Sequence, residues 1–167
     1  KGTKTVETSF LRRPDQNFTF NFDRVFSHVQ GGELIDQCVE EAWQQISAGQ
    51  SCCVMCYGQK GSGKFSTLIG SHGKPGVLSR LLELTTANGR EDASLNAFDI
   101  YKETIRDLLR PASQSTGAST LKLRDSASAV VVDGSVDIPV RSADDLKEHI
   151  PAFHACKGHC VITVRYP

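Results

Sequence analysis

A run of seven residues limits what this chain can be more than any other part of it: Gly-Gln-Lys-Gly-Ser-Gly-Lys at positions 58–64. The apolar run 51–57 before it predicts a strand that is covered on both faces, and a helix is predicted to begin near Gly63. Glycine tolerates positive φ, so successive backbone N–H groups in such a loop can face one anion. The string therefore predicts a phosphate-binding loop between a strand and a helix.

The pattern that holds nucleotide phosphates is G-x-x-x-x-G-K-[ST], and this chain matches its first seven positions. Its lysine, Lys64, would reach the β- and γ-phosphates of ATP, or the β-phosphate of ADP, as a mobile positive charge. The alternative for these residues is a glycine-rich turn without a ligand. The predicted nucleotide-binding residues are Gly58, Gln59, Lys60, Gly61, Ser62, Gly63, Lys64, Phe65 and Ser66.

The eighth position departs from the pattern, because Phe65 stands where a hydroxyl group should bind Mg²⁺. Ser66 lies about 100° further round a helix, so Ser66 or Thr67 is a candidate magnesium ligand only if the start of the helix shifts. Lys60 adds a second cation that would partly offset a missing metal charge. The sequence thus predicts binding of ATP or ADP with weakened magnesium binding and impaired metal-assisted hydrolysis.

Composition limits the classes of partner. The 19 basic and 19 acidic side chains balance, so no net field draws the chain to nucleic acid or to an anionic membrane, and we expect neither as a partner. No apolar run approaches the ~20 residues that a membrane-spanning helix needs, and the first ten residues lack the apolar core of a secretory signal. These features predict a cytoplasmic protein, in which six cysteines would be free thiols.

A cluster of metal-binding residue types lies near the end of the sequence. Its members are His154, Cys156, His159 and Cys160. Their spacing fits no common zinc pattern, so we interpret the cluster as a coincidence rather than as a metal site.

The apolar pattern predicts one α/β domain of alternating strands and helices over residues 1–167. Alternating phenylalanines predict a strand over 16–26 with one buried face, and apolar spacings of three and four predict a helix over 33–48 that ends at Gly49. The other predicted elements are helices at 77–84 and at 143–150 with Ser142 as its cap, strands at 95–101 and 160–166, a helical turn at 103–109, a hairpin of 121–124 with 130–132, and loops at 71–76 and 111–120.

Five blocks of this sequence occur in the same order in one protein family. They are FNFDRVF at 20–26, AGQSCCVMCYGQKGSGKFSTLIG at 48–70, GVLSR at 76–80, LNAFDIYKETIRDLL at 95–109 and LKLRDSASAVVVDGSVDIPVRSADDLKEHI at 121–150. Together they resemble the N-terminal half of a kinesin motor domain. The resemblance implies an incomplete three-layer, P-loop NTPase-like α/β fold with ATP or ADP on its P-loop at 58–66. It also implies microtubules or tubulin as partners, a partner motor subunit, and a place on the cytoskeleton of the cytoplasm.

Besides Phe65, the sequence departs from the family at two catalytic segments, switch I and switch II, and at the string that packs on adenine. Residues 155–159 stand where switch I carries Ser-Ser-Arg-Ser-His, and they keep only His159, with Lys157 in place of arginine. His159 is therefore the one candidate catalytic residue, a remnant of switch I. The switch II string DLAGSE does not occur. The string Leu-Arg-Arg-Pro at 11–14 is interpreted as a hairpin turn, with packing on adenine as the alternative.

These departures leave three interpretations. The first is a degenerate kinesin-like domain that binds nucleotide and microtubules with weak or no ATPase activity of its own. The second is a segment of an active, ATP-driven microtubule motor whose switch II half lies outside this chain. The third, an unrelated nucleotide binder, does not explain the IYKETIRDLL block.

Overall fold

The computed structural model describes residues 4–10, 13–27, 31–71, 73–90, 92–110, 121–126 and 130–167. The chain divides into two compact units, Lys1–Val77 and Leu78–Pro167. Across the described residues, no helix has both the length and the apolar character that crossing a membrane requires.

The first unit begins with an antiparallel hairpin of β1 (Thr5–Phe10) and β2 (Arg13–Asn21). Strand β2 confirms the strand predicted around the alternating phenylalanines, but the predicted buried face is wrong, because Phe20 is 49% exposed and Phe22 is 52% exposed. Among the strands that the structure describes, these two pair only with each other, and a two-stranded ribbon needs a further packed layer to bury one face. The predicted turn or adenine contact at 11–14 falls partly on residues outside those described.

Helix α1 (Gly31–Ser47) confirms the predicted amphipathic helix. It buries Val39 and Ala42. Its end is set by Gly49, which has φ 76°. The N–H of Gly49 donates to the carbonyl of Ile46 at 3.0 Å, and the next N–H donates five residues back at 3.0 Å. These two bonds satisfy carbonyls that the helix end would otherwise leave unpaired.

The strand predicted over 51–57 is wrong. These residues have no regular secondary structure, and Met55 and Tyr57 are 82% and 96% exposed. A strand requires a neighbour for its backbone groups, and no described strand of the unit pairs with this run. The chain continues through the short helix α2 (Lys64–Leu68) into a hairpin of β3 (Gly70–Ser71) and β4 (Lys74–Pro75), within the region predicted as a loop.

The second unit is built on an antiparallel sheet. Its central strand is β5 (Ala93–Tyr101), and the strands that pair with it are β6 (Thr104–Asp107), β9 (Ile138–Val140) and β10 (His159–Arg165). Helix α3 (Val77–Ala87) precedes the sheet in sequence and confirms the predicted helix there. The buried apolar side chains of these elements include Leu82, Leu95, Ala97 and Val140.

Strand β6 corrects a prediction, because residues 103–109 were expected to form a helical turn. Lys102 and Glu103 adopt φ of 47° and 60°, which is the conformation of a two-residue hairpin turn. The turn sends the chain back along β5, so that Ile105 pairs with Ile100 and is buried. Ile105 is thus buried because it pairs with the neighbouring strand, and not because it lies on the apolar face of a helix.

The predicted hairpin and the predicted capped helix are both confirmed. The hairpin consists of β7 (Lys122–Asp125) and β8 (Val130–Asp133). Helix α4 (Ala143–His154) begins with a capping box in which Ser142 and Asp145 bond each other's backbone N–H groups. The predicted loop at 111–120 lies outside the described residues.

Candidate functional site

The glycine-rich loop adopts the backbone that its sequence predicts. Gly58, Gly61 and Gly63 have φ of 154°, 82° and 83°. A Cβ atom at Gly58 would lie 2.8 Å from the Ser62 hydroxyl oxygen, whereas one at Gly61 or Gly63 would meet nothing within 4 Å. Glycine is therefore favoured at all three positions by conformation, and a side chain at Gly58 would also displace the Ser62 hydroxyl. The backbone around Gly61 and Gly63 faces open space.

Lys64 folds back over this loop. Its ammonium group donates to the carbonyl of Gly58 at 2.8 Å and to the carbonyl of Gln59 at 2.6 Å. Both bonds are exposed to solvent, where a hydrogen bond contributes little net free energy. The positive charge is thus held at the loop by contacts that an incoming anion can replace.

The start of helix α2 has no side-chain cap, since its N-cap Gly63 has no side chain to offer one. Ser66 is exposed, and Phe65 is half-buried. The Thr67 hydroxyl donates to the carbonyl of Gly63 at 3.2 Å, so it is already engaged within the helix. The loop glycines and Lys64 therefore lie together at the start of α2, while position 65 offers no oxygen to a metal ion.

The candidate switch I remnant lies in the second unit. His159 is exposed at the first position of β10, where it pairs with Ile100 of β5. Among the described side chains, no group of three or more histidine, cysteine or carboxylate residues is placed to hold a metal ion. Cys156, three residues before His159, donates instead to the Asp99 carboxylate.

Sequence reasoning missed Asp99, a fully buried carboxylate in the middle of β5. One oxygen, Oδ1, accepts from the Cys156 thiol at 3.1 Å and from the Gly158 N–H at 2.9 Å. The other oxygen, Oδ2, accepts from the Lys157 N–H at 3.2 Å and from the guanidinium group of Arg106. The signal that could have found it is a single acid within the otherwise apolar string AFDIY.

The hydrogen bonds to Asp99 decide its ionisation. Burial by itself raises the pKa of this carboxyl, but the bonds from the Cys156 thiol, the Gly158 and Lys157 amides and Arg106 outweigh burial and lower the pKa to about 2. Burial and the Asp99 carboxylate raise the pKa of Cys156 to about 12. The thiol therefore stays protonated at neutral pH and acts as a donor.

The chain belongs to the kinesin motor domain family, whose model matches residues 1–158. Similar relatives include the kinesin-like protein KIN-14O of rice, Oryza sativa subsp. japonica (30% identical over 77% of this chain), KIN-14Q of Arabidopsis thaliana (31% over 96%) and KIF13B of Homo sapiens (33% over 70%). The fold matches a solved structure of KIF14 residues 391–755 with ADP in complex with a microtubule, with a TM-score of 0.80, 19% identity and 98% of this chain covered. This likeness confirms the predicted kinesin-like α/β fold.

The match covers only part of each relative. The chain spans 23% of KIN-14O, 15% of KIN-14Q and 7% of KIF13B. It covers 54% of the solved KIF14 chain.

Proposed function

We propose that this chain is a kinesin-like domain that binds ADP or ATP through the loop 58–66, associates with microtubules, and has weak or no ATPase activity of its own. The observation that carries the proposal is the loop itself. Its glycines hold positive φ and its lysine lies across its carbonyls, while Phe65 occupies the position of the metal-binding hydroxyl.

The residues of the loop fit a nucleotide phosphate. The space around Gly61 and Gly63 is open, so backbone N–H groups there can be approached closely by phosphate oxygens. Lys64 would exchange its two loop carbonyls for the phosphate oxygens, which form stronger charge-assisted bonds. Lys60, which is exposed on the same loop, adds a second positive charge. A bound nucleotide would supply the polyphosphate anion that these groups orient.

The same residues do not fit a magnesium ion in the family manner. In P-loop enzymes the hydroxyl after the lysine holds the metal that bridges the β- and γ-phosphate oxygens. Phe65 has no oxygen, Ser66 lies about 100° further round the helix, and the Thr67 hydroxyl is bonded to Gly63. Metal-assisted hydrolysis is therefore expected to be slow.

Microtubule association and a cytoskeletal location rest on family membership. The solved KIF14 structure is described as a complex with ADP and a microtubule, and the other relatives are named as kinesins or kinesin-like proteins. A domain that holds nucleotide but hydrolyses it slowly would act as a scaffold on microtubules or as the passive partner of an active motor subunit. The alternative function, a segment of an active motor, would bind nucleotide through the same loop. It would differ in hydrolysing ATP at a rate that microtubules stimulate.

Steady-state ATP hydrolysis with and without microtubules separates these two functions. We expect microtubules to raise the rate by less than about twofold, because the metal-binding hydroxyl is absent. The Lys64→Ala variant serves as the matched control, since it removes the phosphate-binding charge and reveals any contaminating ATPase. A rate that rises by tens of fold in the wild-type chain and not in Lys64→Ala would overturn the proposal in favour of an active motor segment.

A further inference from the structure

We propose that Asp99 is a positioning residue that fixes the His159 segment (residues 155–159) in one conformation, so that the segment does not switch in response to nucleotide. The fixed conformation is a property of the second unit by itself. The insensitivity to nucleotide rests on the proposed function, because it presumes that the chain binds ADP or ATP.

The hydrogen bonds of Asp99 leave the segment little freedom. Three consecutive residues, Cys156, Lys157 and Gly158, donate to this one carboxylate, and each of its oxygens accepts two bonds once Arg106 is included. If the segment moved away, the carboxylate would lose three of its four donors and keep only Arg106. Hydrogen bonds to an ionised acceptor are the strong ones, so losing three together makes the released state rarely populated.

A close approach of two backbones fixes the segment a second time. A Cβ atom on Gly158 would lie 2.1 Å from the carbonyl oxygen of Ile100, so the chain passes directly against β5 at this residue. The next two residues, His159 and Cys160, are paired with Ile100 and Asp99 in the ladder of β5 and β10. The backbone of His159 is therefore held by contacts of the residues on both sides of it, while its side chain is exposed.

Segments that switch do so between two arrangements of similar free energy, and they are drawn from the less stable parts of a structure. The His159 segment has the opposite character, because its amides are bonded to a buried, ionised group. This arrangement also explains why position 158 is glycine. The family's switch I string has serine there, and a serine Cβ atom would not fit against the Ile100 carbonyl oxygen.

Amide hydrogen exchange followed by NMR tests the proposal on the whole chain. We expect the Lys157 and Gly158 amides of the wild-type protein to be protected, with exchange that changes by less than about twofold when ADP is added. In Asp99→Asn, exchange at these two amides should accelerate by more than about tenfold relative to amides elsewhere in β5, because a neutral amide accepts weaker bonds than a carboxylate. Their proton chemical shifts should also move upfield, a signature that a general loss of stability does not produce.

A second pair of variants covers the case in which Asp99→Asn does not fold. Cys156→Ala removes one donor and keeps the carboxylate, whereas Cys156→Ser keeps a donor of similar size. We expect faster exchange at Gly158 in Cys156→Ala and wild-type exchange in Cys156→Ser. Equal exchange in the two variants would overturn the positioning role.

The outcomes for the segment and for nucleotide binding are distinct. Fluorescence of a labelled ADP in the same samples reports nucleotide binding directly. If the labelled ADP did not bind, the proposed function would be wrong. The protection of the Lys157 and Gly158 amides without ADP would still test the positioning role of Asp99. Unprotected amides without ADP would overturn the positioning role. Amides whose exchange changes more than about tenfold on confirmed ADP binding would overturn the claim that the segment does not switch.

Discussion

Replacing Gly158 by alanine is expected to lower the free energy of unfolding of the second unit by about 3 kcal/mol or more. The added methyl carbon would lie 2.1 Å from the Ile100 carbonyl oxygen and 3.1 Å from the Tyr101 Cα atom. Both are backbone atoms of the central strand β5, which cannot move without disturbing its pairs with β6 and β10. The change would also pull the Lys157 and Gly158 amides away from Asp99.

Urea denaturation followed by circular dichroism measures this effect. Gly31→Ala is the matched control, since its Cβ atom would meet nothing within 4 Å and its effect is expected to stay within about 1 kcal/mol. If Gly158→Ala were as stable as Gly31→Ala, the close approach of the His159 segment to β5 would be contradicted.

Replacing Lys64 by alanine is expected to weaken ADP binding by about 10- to 100-fold. A charge-assisted hydrogen bond contributes about 1.5–3 kcal/mol, which corresponds to that range of dissociation constants. The two bonds that Lys64 makes to Gly58 and Gln59 are exposed, so the substitution should change the free energy of unfolding little. The substitution is thus expected to lower the affinity for ADP without lowering the stability of the fold.

Titration with a fluorescent ADP measures the loss. Lys60→Ala, in the same loop, is expected to cost less because Lys60 makes no described contact with the loop carbonyls that Lys64 bonds. Lys102→Ala, outside the loop, controls for the loss of a positive charge as such. A dissociation constant for Lys64→Ala that equals the one for Lys102→Ala would contradict the assignment of the phosphate site.

The parts of the fold that the sequence predicted well are those decided by neighbouring residues. Gly49 ends α1 through its own φ, and Ser142 begins α4 by bonding a residue three positions away. The positive φ of Gly58, Gly61 and Gly63 belongs to the same class, since the glycine spacing predicts it. Features of this kind depend on residues within a few positions of one another, so a short stretch of sequence is enough to predict them.

The parts that could not be predicted depend on distant partners. The apolar run 51–57 has the composition of a buried strand, but no described strand pairs with it, and five of its seven side chains are exposed. Residues 104–107 form a strand because two non-glycine residues, Lys102 and Glu103, adopt positive φ, which their types do not indicate. Asp99 was missed because three of its four donors lie 57 to 59 residues further along the chain.

The central claim is that the loop 58–66 holds nucleotide phosphates without a metal-binding hydroxyl. Titration of the wild-type chain with ADP, in excess magnesium and in EDTA, tests it most directly, with Phe65→Thr to restore the hydroxyl and Phe65→Ala to remove only the ring. We predict wild-type dissociation constants within about twofold of each other in the two buffers. We predict that Phe65→Thr binds ADP about tenfold more tightly than wild type in magnesium and no more tightly in EDTA. Absence of wild-type binding in both buffers, or wild-type binding that requires magnesium, would contradict the account.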